Sequence, residues 1–203
     1  KSSWENFRKM SGAVTVPYFL TVGNHDVGDT GSEELYKEEV DLPGNELYYS
    51  FVAGKSLFVV LDSNVPGQEE QIADEQYTWL EKLLSASREE HKFVFVHHPL
   101  YPVKGKGHHY GGSLDKYPDK RDRLEALFAK NGVNVVFVGH EHLYSKKMVD
   151  GVEHIITGGG GARLYTTDDS GGFYHFVLVT VDGKKITGKV IDINGVVRDS
   201  FQL

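Results

Sequence analysis

The 203-residue chain has no cysteine, no apolar run long enough to span a bilayer and no basic stripe. Without cysteine it cannot offer the thiolate ligands that select copper or iron–sulfur clusters, although both oxidising and reducing compartments stay open. The formal net charge of −7 argues against nucleic acid as a partner, and no contact with a membrane is expected. With 39% hydrophobic residues, the chain is predicted to form one domain with a sizeable core.

Three short motifs rich in histidine each follow a strand-like apolar run. The motifs are Gly-Asn-His-Asp at 23–26, His-His-Pro at 97–99 and Gly-His-Glu-His at 139–142. The runs ahead of them cover residues 16–22, 93–96 and 133–138. They are β-branched and aromatic without alternation, which predicts strands buried on both faces. Since layered α/β enzymes bind ligands just beyond the ends of such strands, the motifs predict one metal site at a sheet edge.

Gly-Asn-His-Asp paired with Gly-His-Glu-His resembles the signature of the calcineurin-like metallophosphoesterase superfamily, in its purple acid phosphatase-like branch. The resemblance extends from about Trp4 to the C-terminus. It implies an α/β fold, a four-layer αββα sandwich of two mixed sheets flanked by helices. Residues 1–203 are then a single metallophosphoesterase domain, the C-terminal majority of it. The resemblance also favours a periplasmic or extracellular location.

The resemblance also assigns the metal ligands. Asn24, His97 and His140 are expected to bind one metal ion, and His142 is expected to reach a second. Independently of the family, imidazoles and an amide oxygen suit Fe, Mn or Zn. Two such ions clamp a phosphate and lower the pKa of a bridging water. The expected reaction is hydrolysis of a phosphoric ester by a metal-bridging hydroxide.

Three further residues are candidates for catalysis. By resemblance, His25 protonates the leaving oxygen or stabilises charge on the phosphoryl group. Asp26 is predicted to orient the His25 ring, with a turn or helix cap as the alternative. The glycine-rich loop 104–112 is similar to a purple acid phosphatase loop in which one histidine faces the substrate. His109 is the preferred residue there and His108 the next, while a loop without a role is the alternative.

The chain departs from the family pattern near its start. An Asp-x-His and a Gly-Asp should precede Gly23, yet residues 1–22 contain neither aspartate nor histidine. Asp62, which follows an apolar run at 57–60, is the nearest substitute and is interpreted as a strand-end residue close to the site. We therefore predict that the chain lacks the N-terminal strands of its sheet and needs a preceding segment of a larger phosphoesterase to complete the site.

Two alternative functions remain open. Monoesterases and diesterases share all these motifs, so a phosphodiesterase acting on cyclic nucleotides or glycerophosphodiesters is one alternative. The other is a non-catalytic domain that retains half a metal site.

Apolar spacing and turn residues predict the other elements. They are an N-terminal helix with Trp4, Phe7 and Met10 on one face, a hairpin of strands 47–52 and 57–61, helices over 69–86 and 119–130, and strands from Tyr144 onward. The four glycines Gly158–Gly161 predict close backbone approach near the site rather than a phosphate cradle, because no helix pattern follows them.

Overall fold

A computed structural model describes residues 2–106 and 108–203. Gly107, part of the predicted glycine-rich loop, lies outside the described residues. The helices are α1 Ser2–Ser11, α2 Asn24–Val27, α3 Ser32–Glu39, α4 Asp74–Ala86 and α5 Pro118–Lys130. The strands are β1 Tyr49–Ala53, β2 Ser56–Leu61, β3 His91–Val96, β4 Val135–Val138, β5 Tyr144–Val149, β6 Val152–Thr157, β7 His175–Asp182, β8 Lys185–Asp192 and β9 Val197–Gln202. No helix in these two ranges is long and apolar enough to cross a membrane.

Six strands form a mixed sheet in the order β1-β2-β3-β4-β6-β5. Its centre is parallel, through the pairs β2/β3, β3/β4 and β4/β6, and an antiparallel hairpin closes each edge. The other three strands form a second sheet in the order β7-β8-β9. The predicted α/β arrangement of two sheets with flanking helices is confirmed.

The central strands of the large sheet are buried on both faces. Val94 and Val136 pack against the layer that includes Leu80 of α4 and Phe128 of α5. The neighbouring residues on each strand point the other way, and Phe93 and Val135 pack with Ile186 and Phe201 of the second sheet. Because apolar layers cover both faces, the strands carry continuous rather than alternating apolar runs.

The second sheet is antiparallel in the described residues, although two mixed sheets were expected. Its three strands are consecutive in the chain. Short turns around Gly183 and Asn194–Gly195 join them, and such turns connect only antiparallel neighbours.

The run at 16–22 forms no strand, so this part of the prediction is wrong. Contacts made by side chains hold it instead. The Tyr49 hydroxyl donates to the Leu20 carbonyl at 2.7 Å, and the Phe19 ring stacks on Phe51 with 3.9 Å between ring centroids. A strand requires a ladder partner as well as β-branched residues, and no strand in the described ranges pairs with this run.

Most of the other predicted elements are present. The hairpin turns at Gly54, which takes a left-handed φ of 61°, and α5 begins with Pro118 in its first turn, where proline is favourable. The helix predicted from residue 69 starts only at Asp74, and Glu70 takes a left-handed φ of 55° that an α-helix does not contain. The N-terminal helix forms, but its predicted apolar residue Met10 is 73% exposed.

The glycines after β6 allow close contact with the third histidine motif. A Cβ on Gly158 would lie 1.9 Å from the carbonyl oxygen of Glu141, and one on Gly159 would lie 2.4 Å from His175 Nδ1. A Cβ on Gly160 would meet nothing within 4 Å. The predicted close backbone approach is therefore confirmed at Gly158 and Gly159.

We predict that Gly158→Ala lowers the free energy of unfolding by about 1–3 kcal/mol, because the added methyl group must displace the Glu141 backbone. Gly160→Ala is the matched control, and its effect should stay within about 0.5 kcal/mol. Urea denaturation of both variants measures the difference. Equal stabilities of the two variants would contradict the close approach.

Candidate metal centre

Three of the predicted ligands meet at the carboxyl ends of β3 and β4. His97 directly follows β3, His140 is the second residue after β4, and Asn24 opens α2. His97 Nε2 lies 2.8 Å from Asn24 Oδ1 and 3.0 Å from His140 Nδ1. The strands are parallel with Val96 opposite Val138, so their ends lie at the same level of the sheet.

The local backbone is shaped to bring these side chains together. His140 takes a left-handed φ of 63°, a costly conformation for a residue with a Cβ, and such strain concentrates at functional sites. The Gly139 amide donates to the His97 carbonyl at 3.0 Å and so joins the two motifs. A Cβ on Gly23 would lie 2.8 Å from His97 Nδ1, so only glycine leaves room for the ring.

The imidazoles in this group are neutral near pH 7. Burial lowers the pKa of His97 to about 3, and the neighbouring His98 and His25 lower it further. Burial also lowers the pKa of His140 to about 3, with His97 and His109 as weaker causes. A metal ion needs the unprotonated ring nitrogen. Two neutral imidazoles and an amide oxygen in contact therefore fit a transition-metal ion.

His142 has different hydrogen-bond partners from the other three predicted ligands. Its Nδ1 lies 2.7 Å from the Arg163 carbonyl oxygen, which can only accept a hydrogen bond. Nδ1 therefore carries the proton, and the lone pair is on Nε2. The Tyr165 ring stacks on the imidazole with a centroid distance of 4.5 Å and an interplanar angle of 13°. No hydrogen bond among the described residues links His142 to Asn24, His97 or His140, and its binding of a second ion stays a prediction.

His98 is a member of the cluster that the sequence did not single out. His97, His98 and His140 each contribute one ring nitrogen to a cluster, and these three nitrogens all lie within 4.8 Å of one another. His98 is 3% exposed, and its Nδ1 lies 2.7 Å from Ser63 Oγ. Burial, followed by the charge of His140, lowers its pKa to about 3. The only signal in the sequence was the doubled histidine before Pro99.

Not every side chain of the Gly-Asn-His-Asp motif contacts the candidate ligands. His25 is exposed in the short helix α2. The Asp26 carboxylate accepts the Gly23 amide at 2.8 Å, which is the helix-cap role considered as the alternative. Orientation of His25 by Asp26 stays a prediction.

The two histidines of the glycine-rich loop face different neighbours. The His109 ring lies 3.8 Å from the His140 ring, centroid to centroid. The His108 ring packs edge-on against Tyr165 at 4.4 Å. This placement favours His109 as the residue nearest the candidate ligands, while its catalytic role stays a prediction.

A cleft of about 500 Å³ opens beside the ligands. Its lining includes Asn24, Asn64, His98, His109 and His140. Asp62, the carboxylate considered as a substitute ligand, is 2% exposed just beyond β2 and does not line this cleft. Its Oδ1 accepts the Asn64 amide at 2.7 Å, and burial raises its pKa to about 6. Asp62 therefore acts as a strand-end residue in this structure, as predicted.

Known solved structures share this fold. A purple acid phosphatase, PPD1 from yellow lupin seeds, aligns with a TM-score of 0.79 over 99% of this chain and 43% of its own, at 23% identity. GAP50, described as the anchor in the inner membrane complex of Plasmodium, aligns with a TM-score of 0.69 over 93% of this chain and 66% of its own, at 16% identity. At these identities the likeness concerns the fold alone.

Sequence comparison identifies the family. The human serine/threonine-protein phosphatase CPPED1 is 31% identical over 169 residues, which are 79% of this chain and 53% of that protein. Purple acid phosphatase 21 of Arabidopsis thaliana is 30% identical over 184 residues, which are 79% of this chain and 40% of that protein. The chain thus spans about half the length of these relatives. The family model for calcineurin-like phosphoesterases matches residues 1–144, which contain every predicted ligand. The similarity to purple acid phosphatase 21 agrees with the purple acid phosphatase-like branch expected from the motifs. The chain therefore belongs to the calcineurin-like phosphoesterase family.

Proposed function

We propose that this chain is the ligand-bearing part of a binuclear, metal-dependent hydrolase of phosphoric esters. The observation that carries the proposal is the contact of Asn24, His97 and His140 at the ends of two parallel strands, with both imidazoles neutral. The names of the relatives, a serine/threonine-protein phosphatase and a purple acid phosphatase, support the reaction class.

Asn24, His97 and His140 would hold one ion, and His142 would contribute Nε2 to another. When bound, a pair of Fe, Mn or Zn ions supplies positive charge against the phosphoryl oxygens and a water of lowered pKa. The Arg163 carbonyl keeps the His142 proton on Nδ1, and therefore keeps Nε2 free for the ion.

The remaining chemistry falls to histidines that hold no metal in this proposal. His109, beside His140, donates a hydrogen bond from its ring to a phosphoryl oxygen. His25 is exposed and able to give its proton to the leaving oxygen, which otherwise departs with an unfavourable charge. The cleft beside the ligands accommodates the alcohol part of the ester.

We predict that His97→Ala and His140→Ala each lower metal affinity at least about a hundredfold. Each variant removes a residue that binds the metal directly, and even the loss of a group that only hydrogen-bonds to a ligand typically lowers metal affinity by about 10–100-fold. The matched control is His91→Asn. His91 lies at the opposite end of β3, where its Nε2 contacts the Gly183 carbonyl at 2.7 Å. Its loss should lower stability and leave metal affinity unchanged.

Titration with Mn²⁺ and Zn²⁺, together with elemental analysis of the dialysed proteins, gives affinity and stoichiometry. About two ions per chain in the parent protein support the binuclear form. Equal metal content in the parent and in His97→Ala would contradict the assignment of the ligands.

We predict that His25→Ala lowers kcat for phenyl phosphate by about 10²–10⁴-fold, the usual contribution of a general acid, with metal content unchanged. A leaving group of low pKa needs less protonation, so the loss should be smaller for p-nitrophenyl phosphate. Tyr110→Phe, on an exposed ring outside the cleft, is the control and should retain the parent kcat.

Assays with p-nitrophenyl phosphate and bis(p-nitrophenyl) phosphate compare monoesters with diesters. Faster cleavage of the diester would favour the phosphodiesterase alternative. A protein with two bound metal ions that cleaves neither ester would favour the non-catalytic alternative.

A further inference from the structure

Glu141 stands between the two histidines of the third motif, and the proposed function gives it no role. Its side chain is 0% exposed. One carboxyl oxygen, Oε1, lies 3.2 Å from the backbone nitrogen of His109 and accepts its hydrogen bond. The other, Oε2, is buried without a hydrogen-bond partner among the described residues. A buried carboxyl group with one oxygen unsatisfied is costly, so its presence beside the ligands requires an explanation.

The hydrogen bond joins two segments that are 32 residues apart. Among the described residues, the other hydrogen bonds of the 108–114 segment stay within 108–116 or reach Pro99. The Gly111 amide donates to Asp115 at 2.7 Å, and the Leu114 amide donates to the Pro99 carbonyl at 3.2 Å. Among the described residues, the bond to Glu141 is therefore the hydrogen bond that attaches this loop to the turn at 139–142.

The attached residue is also the one whose ring lies beside His140. The backbone of His109 is fixed by the residue directly after the ligand His140, and its ring lies 3.8 Å from the His140 ring. The loop around it has no regular secondary structure to fix its position. A ring on such a loop occupies one place only if its backbone is attached to a rigid neighbour.

The turn at 139–142 provides that rigidity. The Glu141 amide donates to the Gly139 carbonyl at 2.7 Å, and the Leu143 amide donates to the Glu141 carbonyl at 2.7 Å. The same Glu141 carbonyl faces Gly158, where even a methyl group has no space. Glu141 thus has a fixed backbone, and its side chain accepts the hydrogen bond of the His109 amide.

We propose that Glu141 is a positioning residue whose carboxyl oxygen holds the His109 backbone so that the His109 ring faces the phosphoryl group at the metal centre. The phosphoryl part of the inference rests on the proposed function, whereas the attachment of the loop does not. Glu141 acts through His109 and touches neither metal nor substrate.

The first experiment measures the attachment by itself. Deuterium uptake by peptides covering 108–112 is compared in the parent protein, Glu141→Leu and Glu141→Gln. Glu141→Leu removes the acceptor and should speed exchange in the loop about tenfold. Glu141→Gln keeps an acceptor oxygen and should restore slow exchange. Glu153→Leu is the matched control: Glu153 is also buried, but it pairs with Val135 at the far end of β4 and should leave the loop unchanged.

The second experiment measures the consequence for phosphate. Inorganic phosphate is titrated into the metal-loaded parent, Glu141→Leu, His109→Ala and the double variant. Each single variant should weaken phosphate binding, by about tenfold for His109→Ala and somewhat less for Glu141→Leu. The double variant should be no weaker than His109→Ala, because residues that act through one another are not additive. With an ester that the parent cleaves, kcat should follow the same non-additive order.

Three results would overturn the inference. Unchanged exchange in Glu141→Leu would show that the carboxyl group does not hold the loop. Additive losses in the double variant would show that Glu141 and His109 act separately. Equal loss of bound metal in Glu141→Leu and Glu141→Gln would show that Glu141 acts on the metal ions. Faster loop exchange and non-additive phosphate binding without hydrolysis of any ester would contradict the proposed function and leave the positioning role standing.

Discussion

The parallel pairing of β3 with β4 is the constraint on which the site depends. It brings the carboxyl ends of the two strands to one level, so that the residues just beyond them meet. The layers on both faces of the sheet hold the strands in register, because a slip by one residue would exchange the two buried faces of Phe93 and Val94. The packing of the core thus sets the distance between His97 and His140.

Burial has opposite consequences for the clustered histidines and for the polar groups around them. It keeps His97, His98 and His140 neutral, which preserves the nitrogen lone pairs that a metal ion requires. The same burial makes each unsatisfied polar atom costly, so the site needs an outer layer of partners. The Ser63 hydroxyl forms a hydrogen bond with His98, and the Arg163 carbonyl accepts one from His142.

The turn at 139–142 links several of these partners. Its glycine bonds to His97 just beyond β3, its first histidine contacts the His97 ring, and its glutamate bonds to the loop at 108–114. Gly158, just after β6, packs directly against the turn, so the end of β6 restricts the movement of the turn. A turn held by these contacts has little freedom to move, which suits candidate metal ligands, because a metal site requires a fixed geometry.

The sequence alone determined the three motifs, the buried parallel strands before two of them and, from those strands, the meeting of His97 and His140. These features follow from local pattern, since a continuous β-branched run specifies a buried strand and the residue after it lies at the sheet edge. Only the tertiary structure decided that residues 16–22 form no strand, because a ladder requires a partner that local propensity does not supply. It also decided the partners of His98, Glu141 and His142, which lie 21–35 residues away in the chain. Such contacts depend on how the elements pack, and no spacing within a motif encodes them.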